Sequence, residues 1–139
     1  MCRTESRDVD RVFLDANVLF SAAYRPGAGL RRLWAVEGAV LVTSDYAVEE
    51  ATRNLPEPAQ RRRLARLLGR VELVSGSFDG VPLPSKVRLP EDDLPILRGA
   101  IAAHCTHLLT GNLRDFGKIL GTRVGGVLIE RPASYLGTC

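Results

Sequence analysis

Apolar positions in this chain come in short continuous blocks separated by polar or helix-periodic stretches. The run at residues 11–14, ending Val12-Phe13-Leu14, stops at Asp15 and reads as a strand. A helical stretch is expected beyond the loop containing Pro26, Gly27 and Gly29. Residues 39–42 form a second β-prone run. Ser44 can then cap a helix carrying Ala47, Val48, Ala51 and Leu55 at helical spacing, which Pro56 stops. Residues 57–69 read as another helix, with Leu64, Leu67 and Leu68 as its stripe and Gly69 as its end, and residues 71–74 as a third strand. Residues 75–90 hold Gly76, Gly80, Pro82, Pro84 and Pro90 without a period, so they are expected to be the flexible connection. A helix opening at Asp92-Asp93-Leu94-Pro95 aligns Ile96, Leu97, Ala100, Ile101 and His104 on one side, Pro95 being tolerated in a first turn. Residues 108–110 read as a strand, 113–120 as a short helix and 124–129 as a last strand.

Strands that are apolar throughout and alternate with helices predict a parallel sheet covered on both faces, hence an α/β fold. At 139 residues the expectation is one domain over 11–139, preceded by a polar tail at 1–10. The 45% apolar and 25% charged content excludes a mostly disordered chain, a collagen-like repeat or a disulfide mini-scaffold. No apolar run approaches the roughly 20 residues of a membrane span. The polar start lacks the apolar region of a secretory signal, so a cytoplasmic protein with no membrane partner is expected. Cys2, Cys105 and Cys139 have no metal-ligand spacing.

Charge adds one local feature to a net +3. The basic side is 17 Arg against only Lys86 and Lys118, and Arg53, Arg61, Arg62, Arg63, Arg66 and Arg70 face a single Glu between residues 51 and 70. Guanidinium forks match phosphate oxygens, although a solvated helix face produces the same pattern.

Sites in open parallel sheets form beyond the carboxyl ends of the strands. Asp15 stands there, as a helix cap or as part of a site, and Thr110-Gly111-Asn112 with Asp115 stands at the end of the fourth strand. Asp93 carries more information, because Ile96, Leu97 and Ala100 lie at i+3, i+4 and i+7, so its carboxylate points toward the core if Asp92 is the N-cap. On the second helix Glu50 lies nearer the apolar stripe, while Glu49 stacks with Asp45 and Arg53. Four converging carboxylates would need a cation, and an all-oxygen set suits Mg²⁺ or Mn²⁺ rather than zinc. His104, on a mostly buried face, and His107, beside a strand, are read as structural.

These fragments together resemble the PIN-domain family of metal-dependent ribonucleases, particularly the small VapC-like toxins. The resemblance rests on Phe13-Leu14-Asp15-Ala16-Asn17-Val18-Leu19, on Ser44 to Glu50, on Asp93-Leu94-Pro95-Ile96-Leu97 and on Thr110-Gly111-Asn112-Leu113-Arg114-Asp115-Phe116, and spans residues 11–135. It implies a three-layer α/β/α sandwich with Asp15, Glu50, Asp93 and Asp115 as successive catalytic metal ligands. Ser44, six residues before Glu50, sets that register. Asn17, Thr110 and Asn112 resemble supporting residues that orient the cluster. The match departs at Asn112, where many members carry Asp, which bears on a second metal position with Asp115 nearby. The implied chemistry is hydrolysis of RNA phosphodiesters, with Mg²⁺ or Mn²⁺ as cofactor and Arg25, Arg53 and Arg114 on the RNA backbone. A cognate antitoxin and a homodimer are the protein partners implied. Another reading is a non-catalytic PIN-like module that binds RNA or protein. A haloacid-dehalogenase-like phosphatase also places Asp after its first strand, but its second Asp is Asn17 here and no late Lys fits.

Overall fold

The computed structural model describes residues 9–137. Its centre is a six-stranded sheet in the order β3-β2-β1-β4-β6-β5. The strands are β1 (Asp10–Leu14), β2 (Ala39–Ser44), β3 (Glu72–Val74), β4 (His107–Leu109), β5 (Arg123–Val124) and β6 (Val127–Glu130). All neighbours are parallel except β5 and β6. The helices are α1 (Ala16–Ala23), α2 (Asp45–Asn54), α3 (Pro58–Leu68), α4 (Leu94–Ala102), α5 (Leu113–Phe116) and α6 (Pro132–Gly137). α1 packs on α2 and α3, and α4 packs against β2 and β4; right-handed crossovers, the rule for such connections, set these two groups of helices on opposite faces. This is the three-layer α/β/α arrangement expected from the sequence.

The core runs through the central strands. Val12, Phe13, Leu14, Leu108, Leu109 and Ile129 are fully buried, and the α4 stripe of Ile96, Leu97 and Ala100 closes on them. Each of the larger side chains contributes about 1.5–3 kcal/mol on burial. The chain leaves β1 toward β2 on one side and returns to β4 on the other. The carboxyl ends of β1 and β4 therefore flank the crevice at which such sheets bind ligands.

The structure corrects several readings of the chain. The first helix does not wait for the Pro26-Gly27 loop: α1 starts at Ala16, capped by Asp15 itself, and a 3₁₀ turn (Gly29–Ala35) follows the loop. The last strand is a hairpin, because Gly125 and Gly126 have φ of +57° and +86° and reverse the chain. Residues 117–119 form a 3₁₀ turn rather than more of α5, and α6 follows β6 unforeseen. Residues 75–90 are tied down: Arg98 Nε donates to the Val81 carbonyl at 3.0 Å, and the Phe78 ring lies over Gly99. Leu83, Val87 and Leu89 pack on the core from the same segment.

His104 lies outside α4, exposed, with φ of +56°, as the residue that ends the helix. His107 is on β4, its ring edge-on to Tyr135 and its Nδ1 2.7 Å from Thr106 Oγ1. Asp10, assigned to the tail, is the first residue of β1, where its Oδ2 accepts from the Tyr135 hydroxyl at 2.8 Å. Residues 1–8 of the tail, with Cys2 and Cys139, lie outside the described residues. Cys105 is buried, and burial pushes its thiol up to about 12. No helix among the described residues is long and apolar enough to cross a membrane.

Candidate active site

Asp15 is the anchor of the crevice. Thr43 Oγ1 donates to the last carbonyl of β1, at Leu14, and the Asp15 backbone N–H donates to the Leu109 carbonyl, so the corner is fixed from both neighbouring strands. Its side chain is only 4% exposed. Oδ1 accepts from the Ala16 N–H and Oδ2 accepts from Thr110 Oγ1 at 2.7 Å. Both sequence readings of Asp15 therefore apply, since it caps α1 and also faces the cleft.

Asp15, Asn17, Phe20, Glu50, Asp93 and Asn112 line one cleft of about 330 Å³. Glu50 reaches it from α2, half-buried, whereas Glu49 points outward and pairs with Arg53 at 3.5 Å. Ser44 is fully buried at the end of β2 and accepts from the Ala47 N–H at 3.1 Å, so its task is to start the helix that carries Glu50. Asp93 closes a 3₁₀ turn (Glu91–Asp93) and itself occupies the N-cap position of α4, without a side-chain capping bond. Asp92, expected as the cap, instead offers its carbonyl to the Tyr46 hydroxyl at 2.8 Å. The carboxylate of Asp93 is thereby left free of a helix-capping role.

The fourth acid is held by the loop after β4. Asn112 Nδ2 donates to Asp115 Oδ2 at 2.9 Å, while Asn112 Oδ1 accepts from the Asp115 N–H. Thr110 Oγ1, already donating to Asp15, accepts from the Asn112 N–H at 3.0 Å. Asn17 Oδ1 accepts from the Gly111 N–H at 3.0 Å, tying α1 to the same loop. Three polar residues thus set the relative positions of Asp15 and Asp115.

The electrostatics follow from packing acids together. Burial is the main cause that raises the Asp15 carboxyl to about 6, with the charges of Glu50 and Asp115 adding to it and the bonds from Thr110 and Ala16 opposing it. Burial likewise raises Asp93 to about 7, followed by its hydrogen bond with Asp115 and by the charges of Asp115, Asp15 and Glu50. The same interaction holds Asp115 below the usual carboxylate range, helped by Asn112, so the two acids share a proton between them. The Tyr46 phenol is pushed up by burial and by Glu50, Asp92 and Asp93. An all-oxygen set that retains protons for want of positive charge suits a hard divalent cation in its chemistry. The spacing is looser than a closed cage, since among the described residues no three carboxylate, imidazole or thiol side chains stand together as a ready metal group.

Two cleft residues were missed. Asn54 lines it from α2, one turn beyond Glu50, a signal legible as i+4 from a candidate ligand. Phe20, at i+4 from Ala16 on α1, is the wall shared with a neighbouring groove that contains Tyr24, Arg25 and Arg32. Of the expected RNA-binding cations, Arg53 is engaged by Glu49 and Arg114 Nε lies 3.8 Å from Asp115. Arg25 has no acidic partner among the described residues. Two of the four arginines of α3 are spent on structure. Arg61 donates to the Leu55 carbonyl, and Arg63 donates to those of Ala23 and Tyr24, capping the ends of α2 and α1.

No family model and no curated protein matches this chain. Solved structures do. A chain of VapBC2 from Rickettsia felis, crystallised with a DNA fragment from its promoter, aligns at 15% identity and a TM-score of 0.65 over 87% of this chain and 98% of that one. FitAcB from Neisseria gonorrhoeae aligns at 16% identity and 0.53, over 88% and 98%. The Mycobacterium tuberculosis toxin VapC20, which cleaves the sarcin-ricin loop, aligns at 19% and 0.50, over 70% and 86%. The fold is therefore that of the PIN-domain, VapC-like proteins.

Proposed function

We propose that this protein is a metal-dependent endoribonuclease whose cleft acids Asp15, Glu50 and Asp93, with Asp115 held beside them by Asn112, hold Mg²⁺ or Mn²⁺. The observation that carries this reading is the convergence of Asp15, Glu50 and Asp93, from three separate segments, in one cleft with two of them kept partly protonated by burial and mutual repulsion. Such an arrangement is electrostatically unfavourable without a cation. A divalent ion there would supply charge neutralisation at phosphorus and a more acidic bound water. Thr110 and Asn112 orient Asp15 and Asp115, Asn17 fixes the loop between them, and Ser44 positions the helix of Glu50. Arg25 and Arg114 would meet phosphates entering the cleft.

The likeness to VapBC2 and FitAcB supports a toxin of a toxin–antitoxin pair with a small antitoxin as partner, and the same reading expects a second copy of the chain. A second reading, a PIN-like module that binds RNA or protein without cleaving it, is favoured by the lack of a preformed three-ligand group among the described residues. A mixed-sequence single-stranded RNA incubated with wild type and Asp93→Asn, in Mn²⁺ and in EDTA, separates the two. Cleavage by wild type in Mn²⁺ alone supports the nuclease; RNA binding without cleavage in any condition supports the module.

A further inference from the structure

Both lysines of the chain, 32 positions apart in sequence, line one cleft together. Lys86 and Arg88 come from the connection before α4, and Lys118 and Arg123 from the turn after α5 and from β5. The cleft is about 350 Å³, with Val87 and Ile119 among its apolar lining, and no carboxylate lines it. None of the four cations has a hydrogen-bonding or ion-pairing partner for its side chain among the described residues. Elsewhere Arg11 pairs with Glu72, and Arg61, Arg63 and Arg98 donate to backbone carbonyls. Like charges gathered without counter-charge repel and contribute nothing to the fold, yet they make a strong local field for an anion.

The two segments that line this cleft run on in sequence into segments that carry the acids. Arg88 lies five residues before Asp93, and Lys118 three residues after Asp115. We propose that the cleft binds the phosphate backbone of the RNA strand as it extends away from the acidic cleft, cations on the phosphates and one nucleoside against the apolar lining. Lysine serves here as a point charge on phosphate, without sequence readout. The proposal deepens the nuclease reading and rests on it for the identity of the strand, so its test is binding rather than cleavage.

The experiment is fluorescence anisotropy of a labelled single-stranded RNA of 12 to 15 nucleotides in EDTA, across a salt series. Proteins compared are wild type, Lys86→Ala/Lys118→Ala and, as an equal charge change elsewhere, Arg62→Ala/Arg66→Ala, all checked for unchanged thermal melts. The lysine pair is expected to weaken binding about tenfold and to lower the slope of log K against log salt by about 1.4, two contacts at about 0.7 each, while the arginine pair moves neither. Equal losses in the two double variants would overturn the site, because net charge would then account for both. Adenosine monophosphate binding wild type as tightly as the RNA, and losing that binding with the lysine pair, would overturn the strand assignment in favour of a free nucleotide. Wild type that binds RNA in this way but never cleaves it would leave the cleft standing and remove the nuclease reading alone.

Discussion

Thr110 Oγ1 donates a 2.7 Å hydrogen bond to Asp15 Oδ2 across 95 residues of sequence, joining the ends of β4 and β1 at the crevice. The bond opposes the burial that raises the Asp15 carboxyl. Thr110→Val keeps the shape and removes the donor. It is expected to push Asp15 above its value of about 6, to weaken Mn²⁺ binding about tenfold or more, and to cost about 1–3 kcal/mol at pH 7.5. The stability loss should shrink at pH 5, where Asp15 is protonated in both proteins. Equal losses at the two pH values, by thermal melting, would show that the bond does not act on the charged carboxylate.

The raised carboxyls set a sign for pH dependence. Asp15 and Asp93 titrate near 6 and 7 in the fold against 3.8 ordinarily, so between pH 4 and 7 the folded chain holds protons that the unfolded chain has lost. Their contribution is fully present below pH 4 and lost as pH rises through 6 to 7, roughly 3 kcal/mol for Asp15 alone. In EDTA the melting temperature is expected to fall across this window. Mn²⁺ should restore more of it at pH 7 than at pH 5. A melting temperature in EDTA that climbs between pH 5 and 7 and is insensitive to Asp15→Asn would refute this.

Asn112 donates to the Asp115 carboxylate and so relieves the acidic crowding on that side. Asn112→Asp replaces the donor by a second anion. The metal-free variant is expected to be less stable than wild type at pH 7, and to gain more stability than wild type on adding Mn²⁺. Denaturant titrations with and without metal read both effects, and an unchanged metal-free midpoint would contradict them.

The basic residues divide by what they touch. Arg63→Ala removes two bonds to the end of α1 and should lower stability by about 1–2 kcal/mol while leaving the salt dependence of RNA binding alone. Arg25→Ala should do the reverse. Melting curves paired with anisotropy in a salt series distinguish them.

Much of this architecture is legible in the residues, for reasons that also explain the misses. β1 and β2 are short apolar runs at buried strands, and α2 is announced by Ser44 and stopped near Pro56. By contrast α1 buries Ala16, Val18, Leu19, Ala22 and Ala23, so no polar stripe marks its period, and the conspicuous Pro26-Gly27 pair drew the expected helix past it. Gly125-Gly126 hid inside an apolar stretch that reads as one strand. At the site, Asp93 is legible because its i+3, i+4 and i+7 neighbours are buried, and Asp15 because it ends a strand. Nothing in periodicity could bring Glu50 or Asp115 to them. That step came from the resemblance in order and spacing, and the choice of Glu50 over Glu49 agrees with Glu49 facing Arg53. Arg61 and Arg63 of α3 hold backbone carbonyls at helix ends, a use that looks like phosphate binding in sequence.

The central claim is that four segments place their carboxylates around one divalent-cation site, and isothermal titration of Mn²⁺ into metal-free protein at pH 6.5 tests it most directly. Binding should release about one proton, seen as a heat that changes with the buffer's ionisation enthalpy, because Asp15 and Asp93 are partly protonated at that pH. Both the binding and the proton release should disappear in Asp15→Asn and Asp93→Asn. Saturable Mn²⁺ binding that survives in both variants, or no binding by wild type at millimolar metal, would contradict the account.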